Sequence, residues 1–374
     1  ILSLPAFATE SIKVGLFQNS SISSVIFTVV KGEYQFTDAK GKLHTWSEWK
    51  SAKLFARDDA VILAIDGKEI NCGLQAVFSF TQFDSEFQLK PVSPSLRAYK
   101  FHDNLIVKSR RGKLVLINEL DLDKYVSGVV EAEAGASYTK EFYKVQAIIS
   151  RTYALSNKHR HETEGFHVCD QVHCQVFHGK AQYNDDILFA AYETQNLVLV
   201  DHNIKLITAA FHSNCGGRTV NSEEVWSKSL PYLQSVEDTF CLVMSQSNWQ
   251  RTFLKKDWTE YVRKKQQHAG ADSSQSHLSW SPTGKEQFYL GNDNNLRTVD
   301  IRKDWRLRSA WFAIEEAGDS IRFMGRGFGH GVGLCQEGAI RRAELGYSYA
   351  DILHHYYLNV HLIDLRQLEF FREE

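Results

Sequence analysis

Two carboxyl groups lie in an otherwise apolar stretch near the middle of the chain. Glu131 and Glu133 stand among valine and alanine in residues 129–134, and Gly135 follows. Residues at i and i+2 of a helix do not share a face, so we expect one carboxyl to point inward and the other outward. A glutamate in an apolar pocket has a raised pKa and can act as a general acid near neutral pH. The alternative is two solvated charges at a helix end.

A histidine- and cysteine-rich stretch between residues 159 and 178 could hold a structural zinc ion, which takes four nitrogen or sulfur ligands. The candidate ligands are Cys169, His173 and Cys174, with a fourth from His161, His159 or His167. His173 and Cys174 are adjacent, which is an awkward arrangement for one tetrahedral ion. A Cys169–Cys174 disulfide and two buried thiols are the alternatives.

Polar side chains precede a Gly-Gly turn in residues 211–219. His212, Ser213 and Asn214 come directly before Cys215 and the two glycines, where they could hydrogen-bond a ligand. A cysteine nucleophile with a histidine base is a further possibility here and near Cys335. The sequence offers no third group to orient such a base, so this possibility is the weaker one.

Glycine occupies every second position of residues 325–333. In an extended strand, one face of this segment would be bare backbone, and the other would carry Arg326, Phe328, His330 and Val332. The spacing is not that of a phosphate-binding loop. A strand packed tightly against a neighbour and the floor of a substrate cleft remain open. A helix is predicted from about Leu334 to Leu345.

Composition excludes some classes of partner. The formal net charge is −2, which gives no reason to expect a nucleic-acid or membrane partner. Residues 1–8 resemble the end of a signal peptide, with a small-x-small site at 6–8, although a short N-terminal strand is the alternative. The protein is therefore expected to be exported to the periplasm or cell envelope. No other run is long enough to span a membrane.

The elements that would position these groups predict an α+β fold. Residues 11–118 are strand-rich and carry no chemical constellation, and residues 119–374 form a mixed core. A short helix is predicted from Leu122 to about Glu131. A second begins at Thr139, with an apolar stripe that predicts a central buried helix. Residues 248–295 are polar and suggest a smaller inserted lobe.

Taken in order, several of these stretches resemble the SpoIID/LytB family of bacterial cell-wall proteins. The resemblance covers about residues 100–357 and is strong because many motifs occur in one order. They are residues 125–133, 144–154, 169–177, 211–219, 225–226, 232–233, 325–339 and 352–357.

The resemblance implies a lytic transglycosylase. Such enzymes cleave the β-1,4 bond between N-acetylmuramic acid and N-acetylglucosamine, and the 6-hydroxyl of the sugar closes onto C1 to give a 1,6-anhydro end. The catalytic glutamate of the family falls on Glu133. One carboxyl suffices because the attacking group comes from the substrate, so the chemistry requires no cofactor. A non-catalytic glycan-binding protein that stimulates a cell-wall amidase is the alternative, and other cell-wall hydrolases are then possible partners.

The resemblance also implies a substrate groove and a metal site. The residues expected to contact glycan strands are Arg151, Tyr153, His212, Ser213, Arg326, His330 and Gln336. Some family members bind zinc, for which Cys169, His173, Cys174 and His161 are the favoured ligands. Phe211 stands where the family more often has tyrosine. Cys215, Cys241 and Cys335 are left for disulfide use, and we favour Cys215–Cys241 with Cys335 free.

Charge suggests a substrate preference. Peptide-free muramic acid carries a free lactyl carboxylate. Arg326 or Arg151, together with the helix N-terminus after Gly333, could receive that carboxylate. The resemblance implies a preference for glycan strands that have lost their stem peptides, and this contact would give that preference a physical reason.

Overall fold

The computed structural model of the chain describes residues 10–267, 278–291 and 296–370. The predicted signal-peptide remnant at residues 1–8 lies outside the described residues. The chain divides into two compact units. Unit 1 extends to Val198 and also includes the C-terminal residues from Ile363, whereas unit 2 is Leu199–Leu362.

Two β-sheets form most of unit 1. In hydrogen-bonded order they are β13-β1-β12-β11-β8-β3-β4 and β10-β9-β2-β5-β6-β7. The strands are β1 (Ser11–Leu16), β2 (Ser24–Lys31), β3 (Tyr34–Thr37), β4 (Leu43–Trp46), β5 (Ser51–Arg57), β6 (Ala60–Ile65), β7 (Lys68–Asn71), β8 (Gln75–Phe80), β9 (Glu86–Ser93), β10 (Tyr99–His102), β11 (Asn104–Arg110), β12 (Lys113–Asp121) and β13 (Val168–Cys169).

Alternating apolar residues bring the two sheets of unit 1 together. In β2, Val25, Phe27 and Val29 are fully buried, as expected of side chains on one face of a strand. Phe27 stacks on Phe78 of β8, which belongs to the other sheet, with the ring centroids 4.6 Å apart. The predicted strand-rich N-terminal region and the α+β fold class are therefore confirmed.

Three helices complete the part of unit 1 that carries the candidate catalytic residues. They are α1 (Leu122–Ala134), α2 (Lys140–Ser156) and α3 (Asp185–Glu193). Helix α1 follows β12 directly, and its N-cap Asp121 accepts the N–H groups of Asp123 and Lys124. No boundary between the two units falls at residue 119, because β12 includes that residue and pairs along its length with β11.

Unit 2 contains shorter elements than unit 1, and each of its two boundaries falls within a strand. The elements in chain order are β14 (Leu197–Val200), β15 (Phe211–His212), α4 (Ser222–Trp226), β16 (Asn248–Leu254), α5 (Lys255–Gln267), α6 (Thr298–Asp304), β17 (Phe312–Ala317), β18 (Ser320–Arg326), β19 (Leu334–Cys335), α7 (Gln336–Glu344), α8 (Tyr349–Tyr356) and β20 (His361–Asp364), followed by α9 (Leu365–Phe370) in unit 1.

The segment predicted as an inserted lobe shares a core with the chain that follows it. Strands β16, β18 and β17 form one antiparallel sheet. Trp249 and Trp258 pack in the same apolar cluster as Phe312 and Phe323. The described part of residues 248–295 therefore shares its core with residues as far as Phe323; residues 268–277 and 292–295 lie outside the described residues. Among the described helices, none is both long enough and apolar enough to cross a membrane.

Candidate functional site

The end of α1 carries both candidate carboxyls, and a loop packs closely against this helix. A Cβ at Gly128 would lie 2.1 Å from the carbonyl oxygen of Gly179, so only glycine permits the approach. Gly179 itself has φ +88° and lies against the Lys100 carbonyl. Residues 175–183 are thereby held beside the last turns of α1, where Glu131 and Glu133 stand.

Glu133 is half-buried next to this loop. One carboxylate oxygen accepts the N–H of Val176 at 2.8 Å. Burial raises the pKa of Glu133, and the Val176 N–H opposes that rise because it favours the charged form. A glutamate that keeps its proton above the usual pH can donate it to a leaving group.

Glu131 lies on a more open side of the helix than Glu133 and is also half-buried. Its two oxygens accept the N–H of Gln182 at 3.0 and 2.9 Å, and one of them accepts the N–H of Tyr183 at 2.8 Å. Glu131 fixes the loop, and the two carboxyls face different parts of the chain.

Four of the predicted metal ligands in unit 1 lie together. The donor atoms of His161, Cys169, His173 and Cys174 are all within 4.8 Å of one another. The Cys174 sulfur lies 3.5 Å from His161 Nε2, and His173 Nδ1 lies 3.8 Å from Cys174 Sγ and 3.9 Å from Cys169 Sγ. Ligand atoms around tetrahedral zinc are about 3.3–3.8 Å apart, given the usual Zn–S and Zn–N distances.

The surroundings identify His161 as the histidine that fits this set. Its Nδ1 is 2.6 Å from a carboxylate oxygen of Glu164, the arrangement that orients metal-binding histidines in many proteins. His167 is occupied elsewhere, because its Nδ1 accepts the N–H of Lys13 at 3.1 Å. His159 is exposed and lies beside Glu162.

Tyr153, a predicted glycan contact, belongs to the frame of this cluster. Arg160 donates one Nη1 hydrogen bond to the Tyr153 hydroxyl at 2.8 Å and another to the His173 carbonyl at 2.8 Å. The Tyr153 hydroxyl also lies 3.4 Å from that carbonyl. The tyrosine is half-buried, so its ring edge remains reachable, but its hydroxyl already has partners.

Arg151 cannot contact a ligand, which corrects the prediction. Its side chain is fully buried, and its Nε and Nη2 donate to one oxygen of Asp123 at 3.0 and 2.6 Å. The remaining donors reach the carbonyls of Leu197 and Ala191. These bonds tie α1, α2 and α3 together. The lactyl carboxylate predicted for Arg151 would have to displace a buried ion pair.

The glycine strip, residues 325–333 of unit 2, is not the extended strand that its alternation predicted. Strand β18 ends at Arg326. Gly327, Gly329, Gly331 and Gly333 then have φ between +69° and +116°. Each is a conformation that other residues adopt at a cost, and glycine adopts it freely. The strip is a winding segment with isolated bridges from Phe328 and Val332 to neighbouring chain.

The bare side of the strip lies against the core of unit 2. A Cβ at Gly325 would be 2.1 Å from the Trp249 ring, and one at Gly333 would be 2.2 Å from the Ala210 carbonyl oxygen. A Cβ at Gly327 would be 2.6 Å from the Asn214 carbonyl oxygen. The glycines therefore allow close packing within the protein, which the sequence left open.

The other side of the strip faces a pocket in unit 2. Its lining includes Arg326 and His330 from the strip, with Trp311, Lys285 and Glu224. The Arg326 guanidinium and the Lys285 ammonium both lie over the Trp311 ring, 5.3 and 5.2 Å from its centroid. Burial, together with the charge of a nearby arginine, lowers the pKa of His330 to about 4. The pocket combines an aromatic surface with two cations and a neutral imidazole.

The remaining predicted contacts of unit 2 differ in accessibility. His212 is buried and donates Nδ1–H to the Val332 carbonyl at 3.1 Å, and its ring lies 5.5 Å from that of His330. Ser213 is half-buried, and its carbonyl accepts the N–H of Glu337. Gln336 is half-buried, and its amide nitrogen has no partner among the described residues.

The N-terminus of α7 is closed to a ligand. Cys335 is its N-cap, and the sulfur accepts the N–H of Gly338 at 3.4 Å. Glu337 in the first turn accepts hydrogen bonds from Asn214 at 2.6 Å and from Gln246 at 3.1 Å. This helix terminus was predicted to receive the lactyl carboxylate, and internal groups occupy it instead.

Comparisons with known proteins identify the family of the chain. A profile of the family described as Stage II sporulation protein (SpoIID) matches residues 110–200, which include α1, Glu133 and the cluster of His161, Cys169, His173 and Cys174. The Stage II sporulation protein D of Bacillus amyloliquefaciens is 32% identical over 259 residues, which is 65% of this chain and 74% of that protein. The chain belongs to the SpoIID family.

Two further relatives extend the comparison beyond the SpoIID profile. An uncharacterized protein of Brachyspira hyodysenteriae is 25% identical over 94% of this chain and 95% of its own length. A Bacillus subtilis protein called amidase enhancer is 29% identical over 62% of this chain, and the match covers 39% of that longer protein. This SpoIID family member therefore shares nearly its full length with one relative and its core with the others.

Sequence reasoning missed several groups around the site. Val176 supplies a backbone N–H, which any residue type would provide, so no sequence signal could reveal it. Lys285 and Trp311 come from the polar segment and the strand after it, and they reach the pocket only through folding. Asp238 lies together with three buried cysteines, and the one sequence signal for this residue is its position three residues before Cys241.

Proposed function

We propose that the chain is a peptidoglycan lytic transglycosylase that acts in the bacterial cell envelope, with Glu133 as its general acid and base. The observation that carries the proposal is the state of Glu133. It is half-buried, has a raised pKa and accepts one hydrogen bond, from Val176. A protonated carboxyl with free donor capacity is what the first step of the reaction needs.

The reaction runs through one carboxyl in two steps of proton transfer. Glu133 donates its proton to the glycosidic oxygen as the C1–O bond of N-acetylmuramic acid breaks, and N-acetylglucosamine leaves with a free 4-hydroxyl. The 6-hydroxyl oxygen of the muramic acid residue then bonds to C1, and Glu133 accepts its proton. The products are a 1,6-anhydro end and a protonated Glu133 ready for the next cleavage. No external water is consumed.

We further propose that zinc, held by His161, Cys169, His173 and Cys174, fixes the loop that serves Glu133. Val176 lies two residues after Cys174, so an ion in this cluster would hold the N–H that hydrogen-bonds the catalytic carboxyl. When bound, the metal supplies a four-coordinate structural link and no acid–base chemistry. The side chains of unit 1 perform the proton transfers.

The unit 2 pocket supports binding of an anionic sugar. Arg326 and Lys285 place positive charge over the Trp311 ring in the lining of this pocket. Peptide-free muramic acid carries a carboxylate, so this combination favours stripped glycan strands. Of the two arginines first considered for this carboxylate, Arg326 is exposed and available.

The decisive experiment compares products from purified peptidoglycan whose stem peptides have been removed by an amidase. Mass spectrometry should find 1,6-anhydro ends with the wild type and essentially none with Glu133→Gln. Glu131→Gln is the matched control, since it changes a carboxyl of the same helix that has no proposed part in the chemistry. If Glu133→Gln releases as much anhydro product as the wild type, Glu133 is not the acid.

The same assay addresses the second candidate function, which the amidase enhancer relative suggests. A non-catalytic glycan-binding protein would release no anhydro product in either form. It would raise the activity of an added cell-wall amidase, and Glu133→Gln would do so equally well.

Arg326→Ala tests the substrate preference. We expect the ratio of cleavage rates on stripped over peptide-bearing glycan to fall roughly 10- to 150-fold, because a hydrogen bond between charged groups contributes about 1.5–3 kcal/mol. Arg322→Ala is the control, since Arg322 lies on the same strand and pairs with Glu315. An unchanged ratio in Arg326→Ala would show that the lactyl carboxylate binds elsewhere.

A further inference from the structure

A second group of thiols lies in unit 2, away from the cluster already described. Cys215, Cys241 and Cys335 come together with Asp238, and their donor atoms are all within 4.8 Å of one another. Cys215 belongs to the turn before the two glycines, Cys241 to the 3-10 turn Thr239–Val243, and Cys335 to the N-cap of α7. Three separate stretches of chain therefore meet at this point.

The group is completely enclosed. Cys241, Cys335 and Asp238 are 0% exposed, and Cys215 is 2% exposed. A carboxylate in such a place is costly unless it is paired or bound to a metal. The Tyr356 hydroxyl donates to one oxygen of Asp238 at 2.8 Å. The other oxygen, Oδ1, is buried and has no partner in the part of the chain that the structure describes.

The spacing fits a tetrahedral ion. Cys215 Sγ lies 3.4 Å from Cys241 Sγ and 3.4 Å from Asp238 Oδ2. Around zinc, with Zn–S near 2.3 Å and Zn–O near 2.0 Å, two sulfurs would be about 3.8 Å apart, and sulfur and oxygen about 3.5 Å. Shifts of a few tenths of an ångström would bring the donors to these distances.

The backbone around the sulfurs is arranged as it is around bound thiolates. The N–H groups of Cys215 and Gly338 donate to Cys335 Sγ at 3.2 and 3.4 Å. Such donors stabilise negative charge on sulfur. Lys285 lines the same pocket as Cys215, and its positive charge would offset part of the excess negative charge of three thiolates and a carboxylate around a divalent ion.

We propose that Cys215, Asp238, Cys241 and Cys335 form a closed, four-coordinate structural zinc site in unit 2. Binding would release the thiol protons to solvent and leave no coordination position for substrate. The ion would link the end of the glycine strip to the 213–217 turn and to the 3-10 turn. The proposal does not depend on the proposed reaction.

A disulfide between Cys215 and Cys241 is the competing arrangement. It would join two sulfurs and leave Cys335 and Asp238 outside the new bond. The metal site uses all four side chains, which is why we prefer it.

The first test counts thiols in the full-length wild type. The protein is denatured in a chelator without reductant and alkylated, and its intact mass is measured. Six adducts are expected, because all six cysteines are then free. Four adducts, with Cys215 and Cys241 unmodified, would overturn the proposal.

The second test counts zinc after incubation with zinc alone and dialysis. Cys169→Ser/Cys174→Ser, which removes two ligands of the unit 1 cluster, should retain one zinc per chain, and adding Cys335→Ser should remove it. X-ray absorption of the zinc retained by the double variant should show three sulfur neighbours and one oxygen. Loss of all zinc from the double variant while circular dichroism shows it folded, or a shell of nitrogen and oxygen alone, would contradict the site. If the triple variant does not fold, the X-ray absorption spectrum of the double variant still tests the proposed ligand set.

Discussion

Glu131 and Glu133 stand two residues apart on one helix, yet their surroundings give them different chemistry. Glu131 accepts two backbone N–H groups from residues 182 and 183 and serves to hold a loop. Glu133 accepts one, from Val176, and burial raises its pKa. A carboxyl becomes useful as an acid when its environment leaves it under-satisfied. The loops around α1 therefore determine the different roles of the two glutamates, because both residues lie on the same helix.

The largest expected effect is a difference in turnover between variants of the two glutamates. Glu133→Gln should reduce turnover about 10²–10⁴-fold, the usual contribution of a general acid or base. Glu131→Gln should reduce it less than about tenfold, because it acts only through the loop. Release of anhydro ends per unit time on stripped glycan measures both. Equal losses in the two variants would remove the distinction.

The next effect concerns the helix that carries both residues. Arg151→Leu should lower the free energy of unfolding by about 3–5 kcal/mol, since it leaves Asp123 buried without its ion partner. Lys158→Leu removes a partly exposed ion pair with Glu10 and should cost less than about 1 kcal/mol. Urea denaturation followed by circular dichroism measures both. Similar costs would mean that the buried pair does not hold α1 in place.

A smaller effect is expected from Glu131 on stability. Glu131→Gln should lower the free energy of unfolding by about 1–2 kcal/mol, because its bonds to the loop lose their charge assistance. Hydrogen exchange should show the protection change concentrated at the amides of Gln182 and Tyr183. Unchanged exchange at these two amides would mean that the close packing at Gly128 and Gly179 stabilises the loop instead.

The smallest effect is a pH dependence. A carboxyl whose pKa is higher in the folded than in the unfolded protein contributes stability while protonated, and that contribution is lost as the pH rises from 4.5 through the folded-state pKa. Glu133→Gln removes this titration. Stability of the wild type relative to the variant should therefore decline over that range in urea titrations. A difference that does not vary with pH would contradict the raised pKa.

The sequence predicted the features that depend on local pattern. Helix α2 follows from its apolar spacing, although the Thr139 side chain makes no capping hydrogen bond, and α1 was predicted but continues to Ala134 instead of ending at about Glu131. The grouping of Cys169, His173 and Cys174 follows from their closeness along the chain. His161 was the favoured fourth ligand, but the reason against His167 needed the fold, because Lys13 occupies His167 from a distant strand.

Other features depend on partners far away in sequence. Arg151 was expected to contact a ligand because of the family resemblance and its charge, but its buried partner Asp123 lies 28 positions earlier in the sequence. The glycine alternation suggested a strand because period two is the strand signal, but positive φ angles produce the same spacing in a winding segment. The grouping of Cys215 with Cys335, 120 positions apart, was equally hidden.

The winding backbone of the glycine strip limits which substitutions the protein tolerates in residues 325–333. Alternate positions reject every side chain, as the Cβ contacts at Gly325, Gly327 and Gly333 show. Between them, Arg326 and Phe328 are exposed. A library randomised over the whole strip should yield folded members almost solely with its glycines intact. Changes of ligand preference would then be confined to the two exposed positions, Arg326 and Phe328.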